Sequence, residues 1–340
     1  MNVAQFVFPA IKGIQSNKEY YISMVPLTTL SKLFLFSDSE LPPEIRSQRV
    51  LNKARIPEMC EYMINNTNSY VFSSLTASVD GEIHFKALND DNPYLGEIAI
   101  PMSARFLIND GQHRRAAIVE ALKRKPELKY EHISVVFYHD LGLKRSQQMF
   151  SDLNRYAIRP TKSLNILYDS RDEFSKLVKE VVNRVDVFGE LVDKEHTTIS
   201  NRSRVLFTLS AIYHGTEALL KDLELEHAQK LDLAISFWNR IASNIPEWYG
   251  VKNRDIKSAE IRKNSVCSLS VTIIAFGFAG NKVMKERFDD WEKAVDNIAN
   301  IDWSKSNPQW KSTVILNGNV VASRATQQSL VKFFEKIFLG

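Results

Sequence analysis

The sequence predicts an α+β protein, with a mixed sheet in the N-terminal half and a largely helical C-terminal half. Three observations lead there. Short apolar or alternating segments separated by turn residues dominate residues 1–140, the pattern of strands with a few helices between them. From about residue 144 onward, apolar residues recur at helical spacing. Apolar residues make up 44% of the 340 positions, with 12 Gly and 11 Pro, which describes a globular chain able to bury its own core.

The elements follow in order. Residues 3–13 and 20–25 alternate as strands, and 28–35 form a short helix. Residues 42–65 read as helix, with Pro57 either breaking it or opening a second one. Residues 71–79 alternate as a strand, and Asp80-Gly81 signals a hairpin into a strand at 82–88. Further strands are expected at 96–101, 105–108 and 132–139. Helices are expected around 147–153 and at 163–168, 171–185, 200–214, 227–243, 258–279, 282–300 and 326–338. This pattern divides the chain into domains at 1–165 and 166–340.

Composition bounds the function. Two cysteines, Cys60 and Cys267, imply no disulfide framework and suit a reducing cytoplasm as buried thiols. The first residues lack the basic stretch and cleavage pattern of a secretory signal, and the longest apolar run, 266–279, is too short to span a membrane. A soluble, cytoplasmic protein without membrane attachment is expected. The formal charge of +4 permits nucleic-acid binding without demanding it. Basic residues cluster at 123–125, at Arg155, Arg159 and Lys162, at Arg202 and Arg204, and across Lys252, Arg254, Lys257, Arg262 and Lys263. Charge clusters are usually solvated faces, and convergence on one surface would make them more telling. The tryptophans at 238, 248, 291, 303 and 310 read as core. Residues 247–254 join aromatics to basic residues and read as a packed connector, with base stacking the alternative.

The most informative stretch is Asn109-Asp110-Gly111-Gln112-His113-Arg114-Arg115, between an apolar strand and an amphipathic helix. Gly111 permits the reversal, and the helix that follows starts with amides lacking intrahelical acceptors. Such a start attracts anions, and His113, Arg114 and Arg115 add donors there, so phosphate is the natural ligand. The plain alternative has Asp110 as an N-cap and both arginines solvated. Asp110 and His113 are the candidate catalytic groups, and Asp110, then Asp152, is the carboxylate best placed for Mg²⁺. A second block contains Phe150 and Leu153 as core, Asn154 as either a C-cap or a direct binding group that can also hold the turn, and Arg155 and Arg159 as phosphate ligands. No Walker A, GxSxG, GxGxxG or HExxH pattern is present, nor a His/Cys ligand spacing, so no metal site is assigned.

Asp110-Gly111-Gln112-His113-Arg114 spells the signature of DGQHR-domain proteins, and the chain resembles the DndB-type members of that family. Arg49-Val50-Leu51-Asn52-Lys53-Ala54-Arg55-Ile56 with Tyr62-Met63 resembles the helix upstream of the motif. Phe150 to Arg155, Pro160 and Tyr168-Asp169 resemble the downstream helix pair. These motifs cover roughly the first half. The N-terminal domain is also similar to the ParB and sulfiredoxin superfamily, in which such a turn holds nucleotide phosphates. That likeness implies a phosphate site at Gly111, Gln112, His113 and Arg114, and the position of Asp110 and Arg115 in the same turn adds them as binding candidates. Sulfiredoxin-type chemistry needs a cysteine where Gln112 stands. The resemblance implies a DNA-binding accessory protein of a bacterial DNA phosphorothioation system, restraining transcription of the operon or the extent of modification. Its expected partners are double-stranded DNA, other proteins of that system and a second copy of itself. An ATPase using ATP and Mg²⁺ at the turn, or an assembly protein, are the alternatives.

Overall fold

A computed structural model describes residues 4–34, 54–143, 145–155, 160–311, 313–316 and 319–340. The chain divides into two compact units, Met1–Ile158 and Arg159–Gly340. The mixed sheet lies in the first, and the second is mostly helical.

In the first unit, β1 (Gln5–Gln15) and β2 (Lys18–Pro26) lead into α1 (Leu27–Leu33). Next come α2 (Arg55–Asn65), β3 (Leu75–Asp80), β4 (His84–Ala87), β5 (Leu95–Pro101) and β6 (Arg105–Asp110). The unit continues through α3 (Gln112–Arg124), β7 (His132–His139) and α4 (Ser146–Arg155). The helix expected from 42 has its first part outside the described residues, and α2 carries Pro57 in its first turn, where proline costs no hydrogen bond. The seven strands pair in the order β4-β5-β1-β2-β7-β3-β6, with β3 parallel to β7 and every other pair antiparallel.

The expected hairpin at Asp80-Gly81 does not form. β3 pairs with β6 and β7, while β4 crosses to the far edge beside β5. The end of β3 is claimed by other partners: Asp80 takes Arg105 Nε at 2.8 Å and the Gly142 amide at 2.7 Å. These donors, the Gly142 amide foremost, hold the Asp80 carboxyl below its usual range.

Alternation along β1 and β2 sends Phe8, Ala10, Tyr21 and Val25 into a core closed by Leu27, Leu30, Cys60, Met63, Ile118 and Ala121 from α1, α2 and α3. On the other face Val7, Ile11 and Met24 are exposed.

The second unit contains α5 (Lys162–Tyr168), α6 (Glu173–Arg184), the paired strands β8 (Val192–Asp193) and β9 (Phe207–Thr208), and α7 (Leu209–Leu220). It continues with α8 (His227–Ser243), α9 (Pro246–Lys252), α10 (Ser258–Asn264), α11 (Ser270–Glu286) and α12 (Trp291–Asp296). A small ladder of β10 (Ile315–Leu316) with β11 (Asn319–Val320), then α13 (Arg324–Leu339), completes it. Residues 171–185, 227–243 and 326–338 are helical nearly as the pattern predicts. Residues 200–206 are not, because the Thr208 hydroxyl caps α7 by accepting from Ala211 N. The single helix expected over 258–279 is two: between them Val266 N donates to Trp303 O at 2.9 Å, and Thr272 Oγ1 returns to Val266 O at 2.8 Å. Cys267 therefore lies in this connection, buried, while Cys60 is buried on α2. The range 282–300 likewise divides between the end of α11, α12 and short 3-10 turns. All five tryptophans are buried. No helix among the described residues is long and apolar enough to cross a membrane.

Helices α7 and α11 cross at Gly215 and Gly277. A Cβ on Gly277 would lie 1.9 Å from Gly215 O, so only glycine permits this approach. Gly277→Ala is expected to destabilise the fold by about 1–3 kcal/mol in denaturant titrations, as overpacking does. Gly189→Ala, with nothing within 4 Å of its Cβ, serves as the neutral control.

Candidate functional site

β6 delivers the chain to the turn. Gly111 takes φ 98°, ψ 18° and occupies the N-cap position of α3, which no side chain caps. The expectation of Asp110 as N-cap therefore fails: the reversal needs a positive φ one residue later, and glycine adopts it without penalty. A Cβ at Gly111 would also lie 2.4 Å from Leu75 Cδ2 and 3.1 Å from Arg114 Nη2.

Asp110 instead accepts from Arg114 Nη2 at 2.6 Å. Arg114 Nη1 donates to Ser73 O at 2.8 Å and Ser74 O at 2.9 Å, and also meets the Ser73 hydroxyl. With its side chain only 12% exposed, Arg114 ties the segment before β3 to the start of α3. Arg115 Nη2 donates to Phe34 O at 2.8 Å, satisfying a carbonyl at the end of α1. Both guanidinium groups thus use donors on protein oxygens, where the sequence pointed to an anion.

His113 is half-buried at the same helix start. Burial first, and Arg55 of α2 second, push its pKa below the usual histidine value. Gln112 Nε2 reaches back toward Ile108 O at 3.4 Å. The local field comes from Arg55, the two arginines and the positive helix end, with Asp110 paired to Arg114.

Beneath the turn lies a buried polar bridge. Asn109 Nδ2 donates to Ser78 Oγ at 2.8 Å, and its Oδ1 accepts from Ser146 Oγ at 2.6 Å. All three are fully buried, joining β6, β3 and the first residue of α4 next to a β-bulge at Thr76 and Ala77. A polar Asn inside the apolar run before Asp110 was the available signal. Ser73 and Ser74 carried none that set them apart, and Arg55 stood out only as part of the stretch that resembles the helix upstream of the motif.

In the second sequence block, Asn154 and Asp152 bond within their own helix. Asn154 is exposed and donates to Phe150 O of its own helix at 2.8 Å. Asp152 accepts from Gln148 at 2.7 Å, one helical turn away. Phe150 is partly buried and Leu153 is 42% exposed, so the expected core positions are not core. Arg155 is exposed, and Arg159 lies outside the described residues. No cluster of three or more His, Cys, Asp or Glu suited to a metal occurs among the described residues.

The sequence model of the DndB family, described as DNA-sulfur modification-associated, matches residues 8–338. The chain belongs to the DndB family. The match takes in nearly all of both compact units, well beyond the motif-bearing half. Membership connects this DndB-family chain with DNA sulfur modification. No curated protein and no solved structure matches it.

Two outcomes test the geometry. Asn109→Ala should cost about 2–3 kcal/mol in chemical denaturation, since it strands two buried hydroxyls. Arg114→Lys should also destabilise, because one ammonium cannot reproduce the planar fork. For His113 the sign is fixed by its lowered pKa. The unfolded chain takes up the proton first, so this group's contribution to stability falls as pH drops below about 6.5 toward the lowered value. Arg55→Gln should raise the His113 midpoint in an NMR titration.

Proposed function

We propose that this DndB-family protein is a DNA-binding accessory component of a phosphorothioation system, restraining expression of the operon or the extent of modification. The observation that carries the reading is the concentration of Arg55, His113, Arg114 and Arg115 at the start of a thirteen-residue helix, where Asp110 is already neutralised by Arg114. Helix-end amides and a positive local field favour a phosphate oxygen. The likeness of the first unit to the ParB and sulfiredoxin superfamily belongs to the same reading. So does the division of labour between a sheet domain at 1–165 and a helical domain at 166–340, in a cytoplasmic protein that works with other members of the system.

In this reading Gly111 shapes the turn, Arg114 and Arg115 fix it, and His113 with the helix amides faces the phosphate. Phosphate contacts position a protein on a duplex without reading bases. An anion beside His113 would favour its protonated form, so binding should weaken as pH rises through the histidine range.

Mobility-shift titrations on duplex from the system's own promoter test the proposal. Retardation at low salt that weakens steeply with added salt is expected, with His113→Ala reducing affinity several-fold. No shift even at the lowest salt would refute it. ATP hydrolysis lost in His113→Ala, with DNA affinity retained, would assign the turn to a nucleotide enzyme instead.

A further inference from the structure

In the second unit, five cations line one cavity of about 360 Å³. Its lining includes Arg202 and Arg204 from the loop before β9, Lys252 at the end of α9, and Arg254 and Lys257 from the turn into α10. Glu190 is the one carboxylate among the lining residues. Two basic clusters fifty positions apart in sequence thus share one concave surface. Lys252 pairs with Asp186, while Arg202, Arg204, Arg254 and Lys257 have no ion pair among the described residues.

The walls are built to hold this arrangement. Arg262 Nη2 donates to Ser200 O at 3.0 Å, Asn201 O at 3.1 Å and Ser203 O at 2.9 Å, and Nη1 meets Val205 O. Ser258 Oγ adds a bond to Ser203 O at 2.8 Å. One partly buried guanidinium therefore fixes the loop that presents Arg202 and Arg204. The opposite wall is equally constrained: Asp255 N and Ile256 N both donate to Gly250 O, at 2.8 and 3.0 Å. Arg254 precedes them at φ 70°, the left-handed position of a Schellman cap that ends α9, with its own amide donating to Val251 O at 3.1 Å. Cap and guanidinium bonds thus hold several cations without ion-pair partners among the described residues around one hollow.

We propose that this cavity receives the phosphodiester backbone of DNA. The cations are spread over a loop and two helix ends, more than a single phosphate engages, and arginine forks suit successive phosphate oxygens. The inference rests on the DNA-binding reading above, but names a different surface on the other unit.

The test is duplex affinity of the full chain between 50 and 200 mM salt, by fluorescence anisotropy. Combined Arg202→Gln, Arg204→Gln and Arg254→Gln should weaken binding at least tenfold. The slope of log K against log salt should become shallower by roughly 0.9 for each phosphate that is no longer neutralised. Combined Lys176→Gln, Lys221→Gln and Lys293→Gln removes the same charge elsewhere on the unit and should leave the slope unchanged. Unchanged melting of each variant establishes folding, and Arg202→Gln alone, at an exposed loop position, is the fallback with a smaller loss in the same direction. Wild-type binding that the cavity variant leaves intact overturns this inference alone. Absence of any wild-type binding overturns it together with the DNA reading. ATP binding that disappears in the cavity variant while DNA affinity persists assigns the hollow to a nucleotide and overturns it too.

Discussion

One guanidinium organises the first unit. Arg114 gathers Ser73 O, Ser74 O and the Asp110 carboxylate, and so joins the segment entering β3 to the residue that ends β6 and the helix that follows. β3 is the parallel partner of β7 and the antiparallel partner of β6, so its placement decides how that side of the sheet is assembled. Gly111 makes the clamp possible, because any Cβ there would meet Leu75 and the guanidinium itself. Directly beneath, Asn109 binds Ser78 and Ser146 in a fully buried bridge that would be costly to leave half-made. The signature turn is first a structural joint. In the proposed reading, an anion is left to the helix amides, His113 and the field of Arg55.

The two units use their cations differently. Around the turn, Arg114 and Arg115 are bonded to carbonyls and a carboxylate of the protein. In the second unit Arg262 takes that structural part, and the cations it helps to present have no counter-charge among the described residues. Internal guanidinium bonds thus build two frames, and the remaining positive charge is set on their rims. Phosphate backbones answer to such charge by position and salt, with little demand on base identity.

Much of the architecture was legible because burial imposes periodicity. β1, β2 and β7 alternate because one face packs on helices, and α6, α8 and α13 carry apolar stripes that mark their ends closely. Strand partners were not legible. Asp80-Gly81 has hairpin chemistry, yet Asp80 is taken by Arg105 and the Gly142 amide, and β4 pairs elsewhere. The break between α10 and α11 was hidden for the same reason, since Val266 N finds Trp303 O, thirty-seven positions on. At the site, sequence located the turn and the donor-rich residues after it. Apart from Asp110, four positions before Arg114, the acceptors that Arg114 and Arg115 reach lie about forty to eighty positions away and leave no trace in local spacing. The meeting of Arg202 and Arg204 with Arg254 and Lys257 is likewise a product of folding alone.

Hydrogen–deuterium exchange of the full chain with and without saturating duplex DNA tests this account most directly. It predicts slowed exchange in two separate places, the start of α3 around residues 112–115 and the cavity walls around 200–204 and 250–258. Saturating DNA that protects neither segment, or that protects only surfaces away from both, would contradict it.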